Sequence, residues 1–187
     1  MAHRRRASVK SDAPDASLAL ADEWAEQMGR TVRRVDLVSP SGAKAGVALG
    51  ISHGQRTVFV SARGSSVIVW ATVDLPDEFR NRLATLDVET QEKLLLTVEH
   101  ALLSYGRTGF NLDPPSPRLI SEVKRFTVEQ TVRLSKGDSS SFNRYGDAIQ
   151  EVVTAAVRVV VFLQPASQPP TTSEGTADAK PPSGMYA

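Results

Sequence analysis

Cysteine is absent from all 187 residues. That removes disulfides, thiolate metal sites and cysteine nucleophiles together, and leaves a chain that is long enough to bury a core without staples. Histidine is scarce too. His3 lies near the start, His53 beside Gly54 in a turn and His100 inside a helical pattern, a scatter that argues against a histidine metal cluster. No stretch comes near the roughly 18 consecutive apolar residues of a membrane span. The glycine-rich phosphate loop, the G-x-G-x-x-G turn, the G-x-S-x-G elbow and the H-E-x-x-H helix are all missing. No catalytic residue, cofactor-binding residue or metal ligand is nominated, and no cofactor is expected.

Charge of one sign is also lacking, because the whole chain balances at +1. The first twelve residues hold Arg4, Arg5, Arg6 and Lys10 against Asp12, while residues 165–187 hold Glu174, Asp178 and Lys180. The middle of the chain is therefore slightly acidic, which argues against a basic nucleic-acid domain. Three arginines without an aromatic or amphipathic partner give little affinity for nucleic acid at physiological salt. The basic start is followed by Ser11-Asp12-Ala13-Pro14-Asp15 and not by an apolar segment, so a cytoplasmic protein is expected. Residues 1–14 and 165–187 are rich in small residues and proline and poor in large apolar side chains. They read as disordered tails around one domain over residues 15–164.

Within that domain Leu20, Ala21, Trp24, Ala25 and Met28 recur at helical spacing. Four strand signals follow, about 31–38, 44–51, 57–62 and 67–73, separated by Pro40-Ser41-Gly42, His53-Gly54 and Arg63-Gly64-Ser65. Turns this short predict an antiparallel meander. A helical region opens after Asp74, is bent or restarted at Asp87, and runs through Leu94, Leu95, Val98 and Leu102 to Tyr105, with Gly106 as its stop. Asn111 to Pro117 reads as extended or turn, and 119–134 as a strand region with Phe126, Val128, Val132 and Leu134 on one parity. The opposite parity, Arg125 to Arg133, is polar and suggests a strand near an edge. The last helix runs from about Ser141 to Leu163, with strand as the alternative for Val157–Leu163, where β-branched residues crowd. The expected fold is α+β, an antiparallel sheet of five to six strands with three main helices in the order α-β(3-4)-α-β(1-2)-α.

Apolar residues stand on both parities of the third and fourth strands, which predicts cover on both sides. Phe59, Ile68 and Trp70 oppose Val58, Val60, Val67 and Val69, and that cover can come from a helix of the same chain or from another molecule. Trp and Phe are favoured anchors at interfaces. Phe59, Ile68 and Trp70, with Val159 and Phe162 from the apolar end of the last helix, are the candidate interface. An enzyme or small-ligand site assembled only in the fold is the alternative.

The stretch from the strand with Trp70 through Leu75-Pro76-Asp77-Glu78-Phe79-Arg80-Asn81-Arg82-Leu83, the helix to Tyr105, the strand around Phe126 and Ser141-Phe142 resembles the type III secretion chaperone-like fold and prokaryotic families that share it. The resemblance is one of element order. It implies a small homodimer, or a module that binds an extended segment of another protein, with no catalysis.

Overall fold

The computed structural model describes residues 16–39, 41–104 and 106–165. The segments read as tails lie outside the described residues, apart from residue 165. Helix α1 (Ala16–Gln27) leads into strands β1 (Val32–Val38), β2 (Lys44–His53), β3 (Arg56–Arg63) and β4 (Ser66–Asp74). Helices α2 (Asp77–Leu83) and α3 (Val88–Leu103), strand β5 (Gly109–Asp113), a 3-10 turn at Ile120–Glu122, strand β6 (Arg125–Arg133) and helix α4 (Ser139–Leu163) complete it. The fold is α+β, with one six-stranded antiparallel sheet in the order β1-β2-β3-β4-β6-β5 and four helices.

The meander forms where the sequence signals it. His53 pairs with Arg56 and Arg63 with Ser66, so each connection is a two-residue loop. Gly54 and Gly64 open these loops at φ 60°, a value that costs glycine nothing and suits the twist of a tight hairpin. Inward parity then places Leu49, Ile51, Val58, Val60, Val67, Val69, Ala71 and Val73 in one core with Phe126 and Val128. All four helices feed that same core, through Ala21 and Trp24 of α1, Leu83 of α2, Leu95, Val98 and Leu102 of α3, and the inner stripe of α4.

Several expectations are corrected. The helical region after Asp74 is two helices, so the described residues hold four helices and not three. Asp74 ends β4 and bonds Arg125 at 2.5 Å, and Pro76 holds the cap position of α2. Asp87 caps α3, its carboxylate accepting from the Thr90 N–H at 2.8 Å. The helix stops at Leu103 with Ser104 still right-handed, its hydroxyl donating to the Ala101 carbonyl, so Gly106 is not needed as a left-handed cap. Tyr105 lies outside the described residues. Residues 111–113, read as extended or turn, belong to strand β5, which forms the edge and leaves β6 one place in from it. Residues 157–163 are helical. Burial of Val159 and Leu163 against the sheet outweighs the modest helix penalty of β-branched side chains.

Buried side-chain polar atoms of Arg30, His53, Arg80, Gln130 and Tyr145 lack a hydrogen-bond partner among the described residues. The Tyr145 hydroxyl is buried without a hydrogen-bond partner among the described residues, and burial, with the Asp22 charge, raises its pKa far above the usual phenol value. A buried unpartnered hydroxyl costs about 1–3 kcal/mol. Tyr145→Phe keeps the ring against Trp24 (centroids 6.1 Å apart) and is expected to leave stability unchanged or raise it by about 1 kcal/mol. A loss above about 1 kcal/mol in a denaturant titration would show instead that the hydroxyl is bonded.

Candidate interaction surface

In an antiparallel pair, directly opposed residues share a face, so the register maps the side of the sheet away from the helices. One transverse row reads Arg33, Gly50, Phe59, Trp70, Glu129 across β1, β2, β3, β4 and β6. The next row reads Val35, Ala48, Ser61, Ile68, Thr131. Phe59 and Trp70 stack with centroids 4.6 Å apart and planes 23° from parallel. Each shields one side of the other, which is why both are half-buried and not fully exposed. Neither they nor Ile68 belong to the core or pack against it.

Of the two sources of cover for that face, a helix of the same chain is therefore the one corrected. Among the described residues every helix lies on the Val58–Val67 side, and the Phe59–Trp70 side has no element over it. The cause is topological. The connections from β4 to β5 and from β6 onwards return their helices to the side where the meander already buries its valines, and the short hairpins leave no chain to cross to the other.

The proposed interface residues separate. Phe59, Ile68 and Trp70 come together. Val159 points inward at 1% exposure and belongs to the core, so it is removed from the candidate surface. Phe162 is 39% exposed with Val157 and Val161 nearby on α4, but on the helical layer, remote from the sheet patch. Arg33, Gly50, Ala48, Val35 and Glu129 share the sheet face and were not among the candidate interface residues. The alternation of β1 was a usable signal, whereas the neighbours of each residue required the register.

Arg33 and Glu129 frame the aromatic pair as opposite charges, and neither forms an ion pair among the described residues. The side chain of Arg33 lies across Gly50, where a β-carbon would meet its Nε at 3.1 Å and Thr57 Cγ2 at 3.4 Å. Gly50 and Ala48 are thus a shallow trough in β2, beside the ridge that Trp70 and Ile68 make on β4.

Hollows elsewhere offer less chemistry. An open one of about 430 Å³ is lined by three cations, Arg107, Arg133 and Arg144, with Gln130 and Thr131. An apolar one of about 250 Å³ lies between Phe79, Val160 and Leu163. Among the described residues no group of three His, Asp or Glu could hold a metal ion, and no helix is long and apolar enough to cross a membrane.

His53 ends β2 at a hairpin, as its place beside Gly54 suggested. Burial and the Arg30 charge lower its pKa below the ordinary 6.5, against a contact with Gln150 that raises it. The neutral form is thus favoured in the fold, so the unfolded chain binds more protons as pH falls through 6.5. Stability should decline modestly below that pH, and His53→Gln should flatten the slope of melting temperature against pH between about 5 and 7. An unchanged slope would show that His53 is not the group responsible.

No model of a protein family matches the chain, and no curated protein matches it. Among solved structures, that of an uncharacterized protein from Methanothermobacter thermautotrophicus is similar, with a TM-score of 0.63 over 81% of this chain and 99% of that one. The likeness is one of fold. At 15% identity it carries no argument about what either chain binds.

Proposed function

We propose that this chain is a non-enzymatic protein-interaction module that works through the bare face of its sheet. The observation that supports it is the one-sided placement of the helices, which leaves stacked Phe59 and Trp70, with Ile68, outside the core. An apolar face on a central pair of strands invites aggregation unless something covers it, and large aromatics there are the residue types that anchor interfaces. The resemblance to secretion chaperones fits, because members of that fold act by holding another chain. A cytoplasmic location belongs to the same reading and rests on the composition of the N-terminal residues.

Oxidative footprinting of the full chain at high dilution tests it, with Trp24 and Phe126 as buried references. Phe59 and Trp70 should react far faster than either. A Phe59→Ser, Trp70→Ser variant should keep its melting temperature within a few degrees but lose binding of an apolar dye. Protection of Phe59 and Trp70 in the dilute monomer would overturn the reading, because the patch would then be covered by its own chain.

A further inference from the structure

Two adjacent rows of the bare face are self-complementary, and we infer that its occupant is a second copy of the same chain, docked face to face about a two-fold axis running along β3. The inference rests on the reading of that face as an interaction surface and names its partner.

Strands in a sheet lie about 4.8 Å apart. In the row Arg33, Gly50, Phe59, Trp70, Glu129 the residue on β3 is the midpoint, and the two charges stand about 10 Å to either side of it. A half-turn about an axis along β3 reverses the row left to right, turns it over and leaves its height along the strands unchanged. Trp70 then faces Gly50 of the other copy, Phe59 faces its own equivalent, and Arg33 faces Glu129. The second row behaves the same way, with Ile68 facing Ala48 and Ser61 facing itself. Ridge therefore meets trough twice in each row, and the two charges left unpaired in the single chain meet their opposites.

A face patterned for an unrelated extended segment has no need of this symmetry. Small residues on β2, large ones on β4 and opposite charges at equal distances from β3 are what an isologous interface requires. The packing is the aligned sheet-on-sheet kind, with the inner faces about 10 Å apart and strand directions within about 30°. Four spacings across and nine residues along β4 give a face on the order of 600 Å², somewhat below the roughly 800 Å² that each partner contributes to a standard interface. Two groups must move, and both are exposed side chains: Arg63, which stands on β3 on the same face and would meet its own equivalent on the axis, and Arg33. Swinging Arg33 off Gly50 towards Glu129 of the partner opens the trough that Trp70 enters.

Light scattering on the full chain, over concentrations on the order of 1–100 µM, should report twice the mass of one chain. Glu129→Arg and Arg33→Glu should each weaken association roughly tenfold, since each turns two attractions into repulsions. The double reversal should restore it, which a merely structural effect would not. Trp70→Ser should leave only monomer. Because the chain has no cysteine, Ser61→Cys provides a single thiol on the axis, and a short bis-maleimide should join two copies there but not through Thr97→Cys on α3. A dimer that ignores both reversals and does not cross-link at position 61 would overturn this docking. A monomer at every concentration with Phe59 and Trp70 open to footprinting would overturn the dimer and leave the interaction reading standing. A monomer with both residues protected would overturn the two together.

Discussion

Replacing Trp24 with alanine should remove about 3–5 kcal/mol of folding stability, a large share of the 5–15 kcal/mol typical of a whole domain. Trp24 is 6% exposed and sits where α1 crosses α4. Its ring meets Phe142 edge-on at 5.6 Å and Tyr145 at 6.1 Å, so truncation loses both apolar burial and two aromatic contacts. The space cannot collapse easily, because Ala21 and Ala25 on the same stripe are already small and fully buried. Phe142, which the helical spacing alone would weight equally, is only half-buried and should cost about 2 kcal/mol on the same change. The check is a urea titration with the m-value held constant. A loss below about 1 kcal/mol for Trp24→Ala would place α1 off the core.

The two tryptophans show how much the sequence can reveal. Trp24 was readable as core because helical spacing is a local property, and four neighbours within thirteen residues settle which way it faces. Trp70 was readable as the opposite face of β4 by alternation, and as a neighbour of Phe59 because the Gly64-Ser65 turn fixes the β3–β4 register. What lies over that face was not readable. It depends on which side the α1, α3 and α4 connections take, and nothing in their own patterns records the side. The pairing of β6 with β4 is a further long-range fact, since β6 approaches from beyond two helices and β5. Glu129 thus joins the row of Arg33 only in the folded chain. Strand β5 was missed for a related reason. Its alternation spans only Phe110 and Leu112 and ends at Pro114-Pro115, so turn chemistry dominated a segment that tertiary pairing makes a strand.

The remaining large effect should come from Phe126→Ala, also at about 3–5 kcal/mol. The parity of Phe126 with Val128 and Val132 marked it as inward-facing, but its importance follows from the sheet order. It is fully buried in a row between Val73 on β4 and Leu112 on β5. Just before it, Lys124 accepts from Leu75 N–H at 2.8 Å and donates to the Asp113 carbonyl at 2.7 Å, so the start of β6 is clamped to both neighbours. β5 is a five-residue edge strand whose only inward side chains are Phe110 and Leu112. Emptying the space beside Leu112 removes much of what holds that strand. Amide exchange should therefore quicken more over Gly109–Asp113 than over β2 and β3, on top of the global loss. Phe126→Leu keeps most of the volume and should cost less than about 1.5 kcal/mol. If Phe126→Ala lost under about 1 kcal/mol, or if exchange in β5 rose no more than elsewhere, the ring would not be what fastens β5 to the sheet.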